Sequence, residues 1–282
     1  MYDLHVHSYY SDGKLSPRRI AEEAKALGLH GLALSDHDTI EGLEQMDHYG
    51  KKCGLDIIPA VEFGTTWETD GNMVEIHILG YLMDTNDAEL QNTLNALTKA
   101  RRERIITVVD ILRDFGLDIS AEEVFAKKKR GIVGRGHVSQ VLVEKQYVQN
   151  AGEAFDRFLG AGKFAYVPKT VLQYDEIIRL IHKTGGVAIC AHPKTMKNDA
   201  ILEDLRRADI DGIEVINAKH QIRDVHRYLS YVLEHKELIA TAGSDCHGRT
   251  RKNGALYLGR YASNHKTIQA LRERAAERRS QQ

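Results

Sequence analysis

Seven short runs of β-branched and apolar residues alternate with amphipathic helical patterns, and this rhythm limits the chain to a few architectures. The runs are Tyr2–Val6, Gly31–Ser35, Asp56–Val61, Glu75–Leu79, Gly186–Cys190, Gly212–Ile216 and Leu238–Ala242. Helical patterns fall at Ser16–Leu27, Thr39–Lys52, Val171–Lys183, Ile201–Arg207 and His220–Glu234. Ser16 reads as an N-cap and Pro17 as the first helical residue, where its missing N–H costs nothing. Alternating β and α units predict an α/β fold with a parallel sheet. Seven strands with no duplicated half point to a barrel before an open doubly wound sheet.

The rhythm breaks once. From Asp87 to Lys163 only helical patterns occur: Asp87–Phe115, Ala121–Lys129, His137–Glu144 and Ala151–Leu159, separated by glycines such as Gly116, Gly131, Gly134 and Gly160. We therefore expect a barrel from residues 1–98 and 164–282, with 99–163 as a helical insertion capping the active site. The chain of 282 residues carries 42% hydrophobic and 28% charged residues, enough for one large core plus an insertion. Its net charge of −1 sets up no global field for a nucleic acid or a membrane. The charge is uneven, however: residues 99–169 hold 14 Lys and Arg against 9 Asp and Glu, a local balance of +5. The basic run Lys127–Arg130 and the charged stretch Lys266–Arg279 read as solvated faces. No apolar run approaches the length of a membrane span and no basic-then-apolar leader precedes Asp3, so the expected location is cytoplasmic. Three cysteines without zinc-finger spacing fit free thiols in a reducing compartment.

Chemically capable residues gather where the strands end. His5 and His7 close the first run and Asp12 follows. His37 follows the second, Glu62 the third and His192 the fifth, while Asp245 and His247 follow the seventh; His77 lies inside the fourth. In a barrel the C-terminal strand edge is where the loops converge. Alternate strand positions share a face, so His5 and His7 reach one spot. A lone histidine in a strand is usually a core residue. Six histidines and three carboxylates at one rim would instead be unsatisfied or mutually repulsive without cations. Nine donors exceed the three or four that one tetrahedral ion needs, so the site should be multinuclear. Imidazole and carboxylate without thiolate favour Mn, Fe or Zn. Cys246, between Asp245 and His247, should turn away and pack. Asp38 fits an N-cap and Asp36 an acceptor orienting an imidazole. The other histidines (His30, His48, His182, His220, His226, His235 and His265) read as surface residues.

The segments HVHSYYSDG, LALSDHDTIEG, PAVEF, EIHILGY, AHP and GSDCHG occur in this order over more than 240 residues. Together they resemble the motifs of the polymerase and histidinol phosphatase (PHP) family of metal-dependent phosphoesterases. The resemblance implies a distorted (β/α)7 TIM-like barrel holding two or three divalent transition metals. It implies His5, His7, Glu62 and Asp245 on one cation, Glu62 bridging to a second held by His77 and His192, and Asp12, His37 and His247 on a third, where they form a platform for the substrate phosphate. It also implies a hydroxide bridging two of the cations as nucleophile.

Gly134-Arg135-Gly136-His137, Tyr166-Val167-Pro168-Lys169 and Glu214-Val215-Ile216-Asn217 are similar to patterns of the subgroup containing 3′,5′-nucleoside bisphosphate phosphatases and a 5′-end exoribonuclease. Gly136 stands where that subgroup has proline, and Ile216 where it has tyrosine. Arg135 and His137, Arg102 on the helix entering the insertion, and Lys169 and Asn217 in loops are the candidate substrate contacts. The expected partner is a small anionic phosphorylated metabolite, a nucleotide before short RNA ends, and no membrane. Three rivals remain: a phosphodiesterase of cyclic phosphates or RNA ends, a polymerase-associated proofreading or regulatory module, and an amidohydrolase. The general acid is unassigned.

Overall fold

The structure, a computed structural model, describes residues 1–69, 72–128, 130–248 and 254–281. They divide into two compact units, one of residues Met1–Asn92 with Val171–Gln282 and the other of Thr93–Thr170. The first unit begins β1 (Tyr2–Val6), α1 (Pro17–Ala26), β2 (Gly31–Leu34), α2 (Leu43–Cys53), β3 (Asp56–Thr69) and β4 (Asn72–Tyr81). Helix α3 (Ala88–Asp114) leads into the second unit, which holds α4 (Ala121–Lys127), α5 (Arg135–Glu144) and α6 (Ala151–Ala154), the last continuing as a π-helical turn, Phe155–Leu159. The first unit resumes with β5 (Leu172–Gln173), α7 (Tyr174–Lys183), β6 (Val187–Cys190), α8 (Ile201–Arg207), β7 (Gly212–Ile216), α9 (Ile222–Glu234), β8 (Ile239–Ala242) and α10 (His265–Ser280).

Local chemistry explains α1 well. Ser16 Oγ accepts from the Arg19 N–H at 3.1 Å and Pro17 opens the first turn. Pro17, Ile20, Ala21 and Ala24 then form one buried stripe, with Ile20 alone contributing about 1.5–3 kcal/mol of burial. Helix α2 ends on Gly54 with φ 72°, a left-handed cap that glycine adopts without strain.

The strands lie in the order β1-β2-β3-β4-β6-β7-β8, with β5 beside β3. The sheet curls into a nearly closed barrel. A parallel bridge between Val6 and Cys246 links the first strand to the chain following the last, and His7 N–H donates to Cys246 O at 3.0 Å. Leu4, Ala33, Ile58, Ala60, Leu79, Tyr81, Val187 and Ile189 form one buried cluster, joined by Ile268, Leu271 and Ala275 of α10.

The alternating pattern predicted a parallel sheet, and the sheet is instead mixed. β4 runs antiparallel to both β3 and β6, and the other pairs are parallel. Only residues 70 and 71 separate β3 from β4, and so short a connection can join only antiparallel neighbours. β3 also runs past Val61 to Thr69, because ten residue pairs of the hairpin hold it. The helix expected from Thr39 starts at Leu43 with Gly42 at the cap position, so Asp38 is no N-cap; its carboxylate instead accepts from Gly64 N–H at 3.1 Å. The expected Val171 helix starts at Tyr174, after the short β5. Lys129, the expected end of one helix, lies outside the described residues.

The second unit has its own core, formed by Val108, Leu112, Val124, Val138, Leu142 and Phe158 among others. Its bounds, Thr93–Thr170, are wider than the 99–163 read from sequence, because the division falls inside the continuous α3, where no breaker residue marks it. Among the described residues, no helix is long and apolar enough to cross a membrane.

Candidate metal centre

The rim donors meet around one carboxylate. Glu62 is fully buried, and its Oε2 lies 3.1 Å from His5 Nε2, 3.0 Å from His7 Nε2 and 3.2 Å from His37 Nδ1. Its Oε1 lies 2.8 Å from His77 Nδ1 and 3.0 Å from His192 Nε2. Asp245 Oδ1 is 3.3 Å from His7 Nε2 and 3.6 Å from His5 Nε2. On the outer side, Asp12 Oδ1 is 3.1 Å from His247 Nε2, and the His247 ring stacks on His7 with centroids 4.2 Å apart. Three overlapping groups result, each with its donor atoms within 4.8 Å of one another: His5, His7, Glu62 and Asp245; His37, Glu62 and His77; and His7, Asp12, His37 and His247. His77 joins from mid-strand because β4 runs antiparallel, which brings its N-terminal half to the rim where its neighbours end.

The donors point at one another. Glu214 Oε1 accepts from His5 Nδ1 at 3.0 Å, which leaves His5 Nε2 facing Glu62 and Asp245. His7 Nε2 sits 3.1 Å from that same atom. Glu62 Oε2 and His37 Nδ1 are buried and make no hydrogen bond among the described residues, although they are 3.2 Å apart. Acceptors converging in a dry pocket are unfavourable unless a proton or a cation lies between them. The set of six imidazoles and three carboxylates suits divalent cations.

Electrostatics agree. Burial opposes charge on His5, but the carboxylates of Glu62, Glu214 and Asp245 outweigh it and hold the imidazole well above its usual range. Burial likewise opposes charge on His7, and the neighbouring carboxylates of Asp245 and Glu62 push it up to about 10. For His37 burial prevails and drives it down to about 3. Burial would raise Glu62, yet the surrounding imidazoles, His37 first, hold it well below the usual carboxylate range.

The backbone is shaped for this arrangement. Strand register shifts between Asp3 and Val6 in β1, the span that holds His5, and between Glu214 and Ile216 in β7. His192 and Asp245 adopt positive φ, 27° and 52°, which costs about 1–3 kcal/mol each and persists where surrounding structure enforces it. Gly243 has no room for a side chain: a Cβ there would lie 2.3 Å from His5 Cβ and 2.8 Å from Glu214 Oε1.

Around the donors stands a ring of supports, parts of which sequence did not reveal. Glu214 also accepts from His192 N–H at 2.9 Å and Asn217 Nδ2 at 3.0 Å, so one carboxylate orients β1 and two rim loops. Its signal was a lone charge in the apolar run Gly212–Ile216. Asp3 accepts from Ser244 N–H at 2.8 Å and Gly259 N–H at 2.7 Å. Among the described residues Asp36 binds no imidazole directly. It accepts from Ser8 Oγ and Ser11 Oγ, both at 2.6 Å, and Ser11 Oγ lies 3.4 Å from His7 Nδ1. Lys219, for which sequence offered no signal, places its ammonium 2.5 Å from Asp245 Oδ2; burial opposes its charge, but Asp245, Glu62 and Glu214 keep its pKa raised. Cys246 is buried against Val6, Leu32 and Leu34, facing the core.

The candidate substrate contacts stand differently. Asn217 is buried, with its amide committed to Glu214 and its Oδ1 accepting from Lys219 N–H. Arg102, Arg135, His137 and Lys169 belong to the helical unit. There Arg135 Nη1 donates to Leu159 O at 2.7 Å, with its guanidinium over the Phe155 and Tyr166 rings. His137 Nδ1 accepts from Gly134 N–H at 3.1 Å, capping α5. Arg102 lies 4.2 Å over the Phe125 ring. Two histidines expected at the surface are not ordinary surface residues: His182 Nε2 donates to buried Asp211 at 2.8 Å, and His220 Nδ1 donates to Val215 O at 2.8 Å.

Residues 3–276 match the PHP domain. A 5′-3′ exoribonuclease of Haemophilus influenzae is 34% identical over 251 residues, spanning 87% of this chain and 89% of that protein. A 3′,5′-nucleoside bisphosphate phosphatase of Chromobacterium violaceum is 29% identical over 259 residues, spanning 87% and 86%. Among solved structures, a protein of Bifidobacterium adolescentis described as a metal-dependent phosphoesterase superposes with a TM-score of 0.84 at 28% identity, covering 97% of this chain and 96% of that one.

Proposed function

The chain belongs to the PHP domain family, and from that premise we propose that it is a metal-dependent phosphatase whose substrate is a nucleoside 3′,5′-bisphosphate. The carrying observation is Glu62, whose two oxygens face five imidazoles with Oε2 left without a hydrogen bond. His5, His7, Glu62 and Asp245 would hold one cation, Glu62 with His77 and His192 a second, and Asp12, His37 and His247 a third, with manganese, iron or zinc as the candidates. Such ions lower the pKa of water toward about 7 and offset charge on a phosphoryl group.

The chain's own residues do the rest. Glu214 fixes the His5 tautomer so that Nε2 faces inward. Asp36 acts through Ser11 on His7 Nδ1. Beside the centre lies a cavity of about 280 Å³ lined by Asp12, Ala218, Lys219, Ser244, Asp245, His247 and Tyr257, room for a small phosphorylated group and not for a duplex. The insertion's +5 balance supports attraction of an anionic substrate, with Arg135 as its first candidate contact.

A second reading, removal of nucleotides from 5′-phosphorylated RNA ends, is favoured by the name and 34% identity of the Haemophilus influenzae relative. Protein loaded with manganese, iron or zinc is to be assayed against adenosine 3′,5′-bisphosphate, histidinol phosphate, cyclic phosphates and short 5′-phosphorylated RNA. The bisphosphate should give the highest kcat/KM, and preference for RNA would favour the second reading. His7→Ala and Asp245→Ala should lose both metal and turnover. Native protein that takes up no transition metal would overturn the proposal.

A further inference from the structure

Lys219 belongs to none of the donor groups, yet its ammonium sits on one of their carboxylates. Nζ is 2.5 Å from Asp245 Oδ2, while Oδ1 of the same carboxylate faces His7 and His5. The main chain of Lys219 is fixed: its N–H donates to Asn217 Oδ1 at 2.9 Å, and Asn217 is held in turn by Glu214. The side chain is 43% exposed, in contrast to 5% for Asp245. Lysine is a compact charge with three donors on a flexible four-carbon stem, so a fixed Cα with an open side chain lets the ammonium move while its root stays in place. It lines the 280 Å³ cavity, and among the described residues that line it Lys219 is the only lysine or arginine.

We propose that Lys219 is a mobile counter-cation of this centre: it occupies Asp245 until a divalent cation takes that carboxylate, and its ammonium then turns into the cavity to bind the phosphate of the substrate. This rests on the function proposed above and adds a substrate contact to it. The charge logic needs both halves. An ammonium against a carboxylate offsets the buried negative charge when no metal is bound. Once a metal supplies that charge, the displaced ammonium is repelled from the centre and drawn to a dianionic phosphate monoester.

The two roles predict opposite effects of one substitution, which a merely structural lysine would not produce. Lys219→Met keeps the stem and removes the charge. Titration calorimetry of the demetallated protein with Mn²⁺ should show binding about tenfold tighter than native, because the competitor for Asp245 is gone. The metal-free variant should melt lower, and KM for adenosine 3′,5′-bisphosphate should rise about tenfold while kcat changes less than about threefold. Lys219→Arg, which keeps the charge, should restore both Mn²⁺ affinity and KM toward native. Unchanged or weaker Mn²⁺ binding in Lys219→Met, or an unchanged KM, overturns the inference. Failure of the native protein to bind Mn²⁺ overturns the metal-centre reading first, and this one with it.

Discussion

Glu214→Gln is the sharpest test of how the centre is held. The native carboxylate takes three donors from three segments: His5 Nδ1 at 3.0 Å on Oε1, and His192 N–H at 2.9 Å and Asn217 Nδ2 at 3.0 Å on Oε2. A glutamine of the same shape offers one acceptor oxygen and one amide donor, so it has two ways to sit, and both fail. If its oxygen faces His5, its NH2 meets two donors and leaves them unsatisfied in a buried site, at about 1–3 kcal/mol each. If it flips, its NH2 faces His5 Nδ1, and the imidazole must carry its proton on Nε2 instead. Nε2 is the atom 3.1 Å from Glu62 Oε2, and once protonated it cannot ligate a cation. The flip avoids the two orphans, so we expect the variant to keep its fold and lose metal. Loss of such an orienting partner typically weakens binding about 10–100-fold, which is roughly 1.4–2.7 kcal/mol. The assay is Mn²⁺ titration calorimetry on demetallated protein, paired with urea unfolding of the same sample. Native Mn²⁺ affinity together with native unfolding would refute the claim that Glu214 sets the His5 tautomer.

Three further outcomes follow from the geometry. Gly243→Ala should lose about 1–3 kcal/mol or more in urea unfolding and bind metal poorly, since the new Cβ falls 2.3 Å from His5 Cβ; a native-like midpoint would show that His5 moves aside freely. Native protein should melt higher with Mn²⁺ and return to its starting midpoint with a chelator, by about 2.7 kcal/mol of added stability at a hundredfold excess over Kd; a metal-independent midpoint would contradict coupling of the centre to the fold. Asp211, which binds His182, Ala188 N–H, Arg274 and Arg278, resists the effect of burial, and its pKa is lowered from 3.8 to about 2. Its stabilisation is therefore present above about pH 4 and lost as pH falls toward 2, about 2 kcal/mol at 1.36 kcal/mol per pKa unit. Asp211→Asn should be less stable at neutral pH and show a flatter stability curve across that window, so an unaltered acid limb would count against the ion-pair account.

The strand positions were legible because period-2 alternation and flanking turn residues are local properties. β1 and β7 have the bounds read from sequence, and β2, β6 and β8 differ only at their ends. The bounds of β3 and the start of α2 were not legible. Glu62 and Gly64 interrupt the apolar run of β3, and only pairing with β4 carries it to Thr69. Asp38 resembles a helix cap in sequence, but its oxygen is taken by Gly64, twenty-six residues away. The nine rim donors could be picked out because each follows or lies within a recognisable strand. Lys219 could not, being a loop lysine like many others until Asp245 is placed beside it.

Sequence by itself determined which imidazoles and carboxylates strand ends would gather, since residue type and local periodicity are written in order along the chain. Tertiary structure alone decided how those groups face one another. The antiparallel course of β4 brings His77 to Glu62, and closure of the sheet, with register shifts in β1 and β7, sets His5 against Glu214, 209 residues apart. Lone-pair directions depend on contacts between such distant segments, and no local pattern encodes them.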